Sequence, residues 1–158
     1  MVKLVDLNGK WAAAIGQSFV AFGSIEHITV TCLQEIPKDR IQKSVSSFKL
    51  GQRIDLILEL LEAHPGIVYE QLAAKLSRAK ELLVTRNLIA HNPLVLGILH
   101  ADGKFTHKEA IVSLRGGKRR IELPELQAFA AECEQLASDL YGCTEAAVNA
   151  LRGGTANA

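Results

Sequence analysis

Apolar residues recur at helical spacing in four stretches of the chain and at extended spacing in one. From Trp11 to Ile36, Ile15, Phe19, Phe22, Val30 and Leu33 lie near a 3.6-residue repeat, and Pro37 ends the helix this predicts. A polar connection follows over Pro37–Ser47. A second helix is predicted from about Lys49 to Ala63, with Ile54, Ile57, Leu58 and Leu61 on its apolar side and a His64-Pro65-Gly66 turn behind it. The third helix, Tyr69 to His91, has the clearest stripe: Leu72, Leu76, Ala79 and Leu83 in 4-3-4 spacing. Its continuation reaches Arg86 and Ala90, so an arginine stands where the pattern asks for an apolar residue. Pro93 holds the preceding residue out of the helical region and stops the helix near Asn92.

Between Leu94 and Leu123 the period changes. Val95, Gly97 and Leu99 begin an extended stretch, and Ala101–Lys104 has turn chemistry. Ile111-Val112-Ser113-Leu114 is a second extended run, and Gly116-Gly117 turns into Arg119–Leu123. This predicts a small hairpin or three-stranded ribbon. Pro124 suits the first turn of a last helix to about Leu151, with Leu126, Phe129, Cys133, Leu136 and Leu140 facing inward. Residues 152–158 read as a frayed tail. The expected fold is all-α: an antiparallel four-helix bundle in one domain over residues 1–158, with a small β-hairpin inserted before the last helix.

Composition narrows the function classes. At 158 residues the chain can bury one substantial core, and 48% apolar residues exclude a disordered or low-complexity protein. Aromatic residues are only 5%, which argues against an extended base-stacking surface. Cys32, Cys133 and Cys143 match neither a CxxC motif nor a zinc-ligand spacing, so they read as buried free thiols. No apolar run approaches the ~18 residues of a membrane span, and a reduced cytoplasm fits best.

The net charge of +1 conceals an uneven distribution. Lys38, Arg40, Lys43, Lys49 and Arg53 crowd one segment, and ten basic residues lie between Lys75 and Arg120. Ile121–Leu151 holds six acidic residues and no basic one, which predicts a basic side and an acidic side.

The one stretch with specific chemistry is Arg86-Asn87-Leu88-Ile89-Ala90-His91. Asn87 and His91 are four apart and share a helix face; Arg86 lies ~100° round from Asn87. Histidine moves protons near neutral pH, and the arginine fork matches phosphate oxygens. The set suits attack of an RNA 2′-hydroxyl on its neighbouring phosphate, with His91 as general acid–base and Arg86 stabilising charge on phosphorus.

An Arg-Asn-x-x-x-His sequence closing a helix, after two helices and before a hairpin and a last helix, resembles the HEPN superfamily of helical domains. The match is close over Arg86–His91 and elsewhere rests on the order and length of elements. The resemblance implies a metal-independent endoribonuclease that works as a homodimer, both motifs lining one cleft, with Arg86, Asn87 and His91 as the catalytic positions. It also implies a toxin-like or defence-related role with a neutralising partner protein, or a non-catalytic binding or partner-interaction module. No cofactor and no metal are called for.

Other candidates carry less. Glu26 could bring an acid near the motif from the first helix, beside His27. His100 and His107 flank the hairpin turn at a spacing unlike zinc ligands and read as surface residues. Lys118-Arg119-Arg120 could touch an RNA backbone. Gly-rich phosphate loops, carboxylate metal clusters and Ser/His/Asp sets are absent as motifs.

Overall fold

The computed structural model describes residues 5–37, 41, 43–45, 47–101, 103–114 and 119–154. Four helices, α1 (Lys10–Glu35), α2 (Leu50–Glu62), α3 (Ile67–His91) and α4 (Leu123–Gly154), dominate it. Three strands, β1 (Leu94–Ala101), β2 (Lys104–Val112) and β3 (Arg120–Ile121), stand between α3 and α4. The protein is thus mainly helical with a small antiparallel sheet, in the order β1-β2-β3.

Helix α1 packs on α4, α2 and α3, and α3 packs on both α2 and α4. One core results, in which Trp11, Phe22, Ile25, Ile54, Ile57, Leu72, Leu76, Leu126 and Leu140 are fully buried. Phe22 and Phe129 stack across it with ring centroids 6.2 Å apart. All five apolar positions expected of α4 are buried. On α1 the buried row is centred elsewhere than expected: Trp11, Ala14, Ser18, Ile25 and Cys32 face inward, while Ile15, Phe19 and Val30 are half-buried. A helix with three helical neighbours has no single apolar stripe, and that blurs its repeat. Gly16 and Gly23 face open space, so neither marks a close approach of helices.

Asp6 starts α1. Its carboxylate accepts from the backbone N–H groups of Trp11 (2.9 Å) and Ala12 (3.1 Å), filling the capping role that Gly9 cannot. At the other end of the fold α4 runs three residues past Leu151, to Gly154, so residues 152–154 are helical and not a tail.

Strands β1 and β2 pair in a continuous register from Leu94↔Ile111 to Ala101↔Lys104. Burial is greatest at the base of this hairpin. Ala110, Ile111 and the paired Ile121 are buried, whereas Ile98 and Phe105 near the tip are exposed. Asn92 fixes the base to α3: its amide donates to Leu88 O at 2.7 Å and its Oδ1 accepts from Leu114 N at 2.8 Å.

The charge segregation seen along the chain is undone in three dimensions. Lys75 pairs with Asp139 at 2.6 Å and Arg78 with Glu132 at 2.5 Å, across the α3–α4 seam. The basic and acidic stretches therefore meet instead of forming opposite sides.

Candidate functional site

Leu72, Leu76, Ala79 and Leu82 form the buried row of α3, and Ile89 ends it. Arg86 lies between Leu82 and Ile89 on that row and is half-buried. Ala90, on the expected extension, is exposed. The Arg86 side chain crosses the ring of Phe19 on α1, 5.0 Å from guanidinium carbon to centroid. Its Nη1 donates to Asn87 Oδ1 at 3.2 Å. Its Nε is buried and, among the described residues, has no hydrogen-bond acceptor. The guanidinium head lies on an aromatic face.

That head lies in an open groove of about 820 Å³ between the first turn of α2 and the last turns of α3. Asn87 and His91 line the same groove and are exposed. The structure thus brings together all three residues of the motif. Glu26 of α1 lines it too, as the sequence allowed.

Four polar lining residues from α2 and its start were not foreseen as part of the site: Lys49, Gln52, Arg53 and Asp55. Arg53 matters most. Its side chain is 15% exposed, its nearest carboxylate is Glu26 at 3.6 Å, and its Nε is also buried without an acceptor. A usable signal existed, since Arg53 sits four and eight residues before Ile57 and Leu61 and so extends α2's buried row as Arg86 extends that of α3. Asp55 is held by Lys80 and adds little free negative charge to the groove. Lys49, Arg53 and Arg86 meet Glu26 and Asp55 there, so basic side chains outnumber acidic ones in the groove, and His91 stands beside them.

The basic run fares differently. Lys118 lies outside the described residues. Arg119 reaches back to α3, where its Nη2 donates to Thr85 Oγ1 at 2.7 Å. Arg120 is exposed on β3. Neither lines the groove. His100 and His107 are exposed, as expected, and His100 packs on Phe105 with centroids 4.6 Å apart.

Burial pushes the Cys32 thiol up to about 11, offset in part by its contact with Thr144, and pushes that of Cys133 up to about 12. Cys143 is only half-buried, unlike the expectation for all three. In a smaller hollow of about 270 Å³ between α1 and α4, Tyr141 is held by Glu145 and Arg152 by Glu35. Among the described residues no group of three or more His, Cys, Asp or Glu side chains is placed to hold a metal ion. No described helix is long and apolar enough to cross a membrane.

No family model, curated protein or solved structure matches the chain.

Proposed function

We propose that the protein is a HEPN-like antiparallel four-helix bundle that cleaves RNA without a metal and acts as a homodimer. The observation that carries this reading is Arg86: a half-buried guanidinium with an unsatisfied buried Nε, in an open groove shared with Asn87 and His91. The guanidinium opens on the groove and has donors to offer an incoming anion. Phosphate oxygens suit it.

In the reaction His91 takes the proton from a ribose 2′-hydroxyl as its oxygen attacks the adjacent phosphorus. The bond from phosphorus to the 5′-oxygen breaks, and that oxygen receives a proton from an imidazolium. Arg86 neutralises charge gathering on the phosphoryl oxygens, and Asn87 orients Arg86. Pairing of two protomers would supply a second histidine, so that one acts as base and the other as acid. The expected setting is the cytoplasm, in a toxin-like or defence-related role with a neutralising partner protein.

One observation favours a second reading, that of a non-catalytic HEPN-like module that binds RNA or a partner. Among the described residues His91 has no hydrogen-bond partner, and catalytic bases are usually oriented by a third group. Incubation of the purified protein with mixed RNA in EDTA separates the two. Cleavage to fragments ending in 2′,3′-cyclic phosphate supports the nuclease. Intact RNA that is nevertheless retained by the protein supports the module.

A further inference from the structure

We infer that Arg53 forms a second phosphate subsite next to that of Arg86, so that the groove holds two phosphates of one single-stranded polynucleotide. The inference rests on the reading that the groove takes RNA, and adds to it a residue on α2 and a requirement on the length of the ligand.

Both arginines present the same anomaly in the same groove. Each is half-buried and has a buried Nε with no acceptor among the described residues. Arg53 faces one carboxylate, that of Glu26, at 3.6 Å, beyond a good charge-assisted hydrogen bond. Glu26 is 42% exposed and its contact is screened by water, so it can hold the guanidinium in place and yield it to a phosphate.

The two guanidinium groups have different anchors. Arg86 lies over Phe19 and Arg53 beside Glu26, both on α1. Those positions are seven residues apart on one face of the helix, about 10 Å along its axis. With their anchors two turns apart on α1, the two guanidinium groups can each engage one of two phosphates along a strand. Lys49, one helical turn before Arg53 and exposed at the rim, adds a cation on the Arg53 side. A free mononucleotide would leave half of this charge unused. An acidic peptide would meet it without the planar two-oxygen match that the arginine fork offers a phosphodiester.

The test uses the full chain and 2′-deoxy oligonucleotides, which lack the attacking hydroxyl and stay intact. Nuclear magnetic resonance titration compares a dinucleotide carrying one phosphodiester with a trinucleotide carrying two. The second phosphate should tighten binding about tenfold or more, as expected of hydrogen bonds to a charged donor. Arg53→Gln should erase that gain, so that the variant binds dinucleotide and trinucleotide alike. For the trinucleotide it should also flatten the dependence of log affinity on log salt by about 0.7.

No gain from the second phosphate in the parent protein overturns the proposal whether or not the variant folds. So does a folded Arg53→Gln protein that keeps the full gain. An oligoglutamate of equal charge that competes as well as the trinucleotide overturns the polynucleotide assignment. Failure here differs from failure of the nuclease reading: RNA cleavage without the length effect removes only the subsite, and the length effect without cleavage removes only catalysis.

Discussion

Replacing Arg86 by methionine separates a residue kept for function from one kept for folding. Methionine preserves an unbranched stem that can lie on Phe19, and it removes the guanidinium. Two favourable contacts go with it. The cation–π contact at 5.0 Å is worth about 0.5–2 kcal/mol at a half-buried position. The hydrogen bond to Asn87 at 3.2 Å is worth about 0.5–1.5 kcal/mol. Against these, the buried and unsatisfied Nε ceases to cost its desolvation, about 1–3 kcal/mol. The opposing effects nearly cancel, so Arg86→Met should change stability by about 1 kcal/mol or less. For a chain of this length the thermal midpoint then moves by no more than about 4 °C in either direction. Unfolding followed by far-ultraviolet circular dichroism reads this directly. Ile89→Ala, one turn further along the same buried row, serves as the contrast and should cost about 2–5 kcal/mol. A loss of about 3–5 kcal/mol from Arg86→Met, the size seen when a buried charge pair loses one partner, would refute the functional assignment of this arginine.

Three further outcomes are expected. Asn92→Ala removes the bridge between α3 and the end of β2, two hydrogen bonds in all, and should destabilise by about 1–3 kcal/mol in chemical denaturation; an unchanged midpoint would mean that the hairpin is anchored by packing alone. Because burial holds the thiols of Cys32 and Cys133 up at about 11 and 12, a thiol reagent at mildly alkaline pH should modify at most one site in the folded protein, Cys143, as read by intact mass. The Lys75–Asp139 contact lowers the acid and raises the base, chiefly through their hydrogen bond. Asp139 therefore contributes stability above the usual carboxylate range that is lost as pH falls through its depressed value, and Lys75 contributes stability that is lost as pH rises through its raised one. Asp139→Asn should flatten the acid limb of midpoint against pH slightly, and added salt should do the same; an acid limb identical to the parent's would show the pair to be inert.

Long amphipathic elements were legible in the chain because a single face decides their pattern. Helix α4, which packs with one side inward, showed its buried row as Leu126, Phe129, Cys133, Leu136 and Leu140. Helix α1, with neighbours on several sides, did not, and Phe19 proved to be the platform for Arg86 and not a residue of the central core. Charge was the least legible property. Like charges gathered along the chain suggested separate surfaces, but Arg78 and Glu132, 54 residues apart, meet across a helix seam that no local pattern reveals. Half of the candidate site was readable from one helical turn, Arg86 to His91, because its members are neighbours in sequence. The other half, Arg53 and Lys49, depends on how α2 lies against α3. Its traces were the crowded basic segment that ends at Arg53 and an arginine on an apolar row, the same anomaly that drew attention to Arg86.

The central claim is that His91 moves protons in RNA cleavage, and a comparison of parent and His91→Ala proteins on a fluorogenic RNA in EDTA tests it most directly. His91 is exposed at the end of α3 and lends nothing to the core, so the variant should keep the parent's circular dichroism spectrum and thermal midpoint. Its cleavage rate should fall by about 10²–10⁴-fold, the contribution of a positioned acid or base. A His91→Ala protein that cleaves at the parent's rate, in preparations free of contaminating nuclease, contradicts the catalytic account and leaves the groove as a binding site.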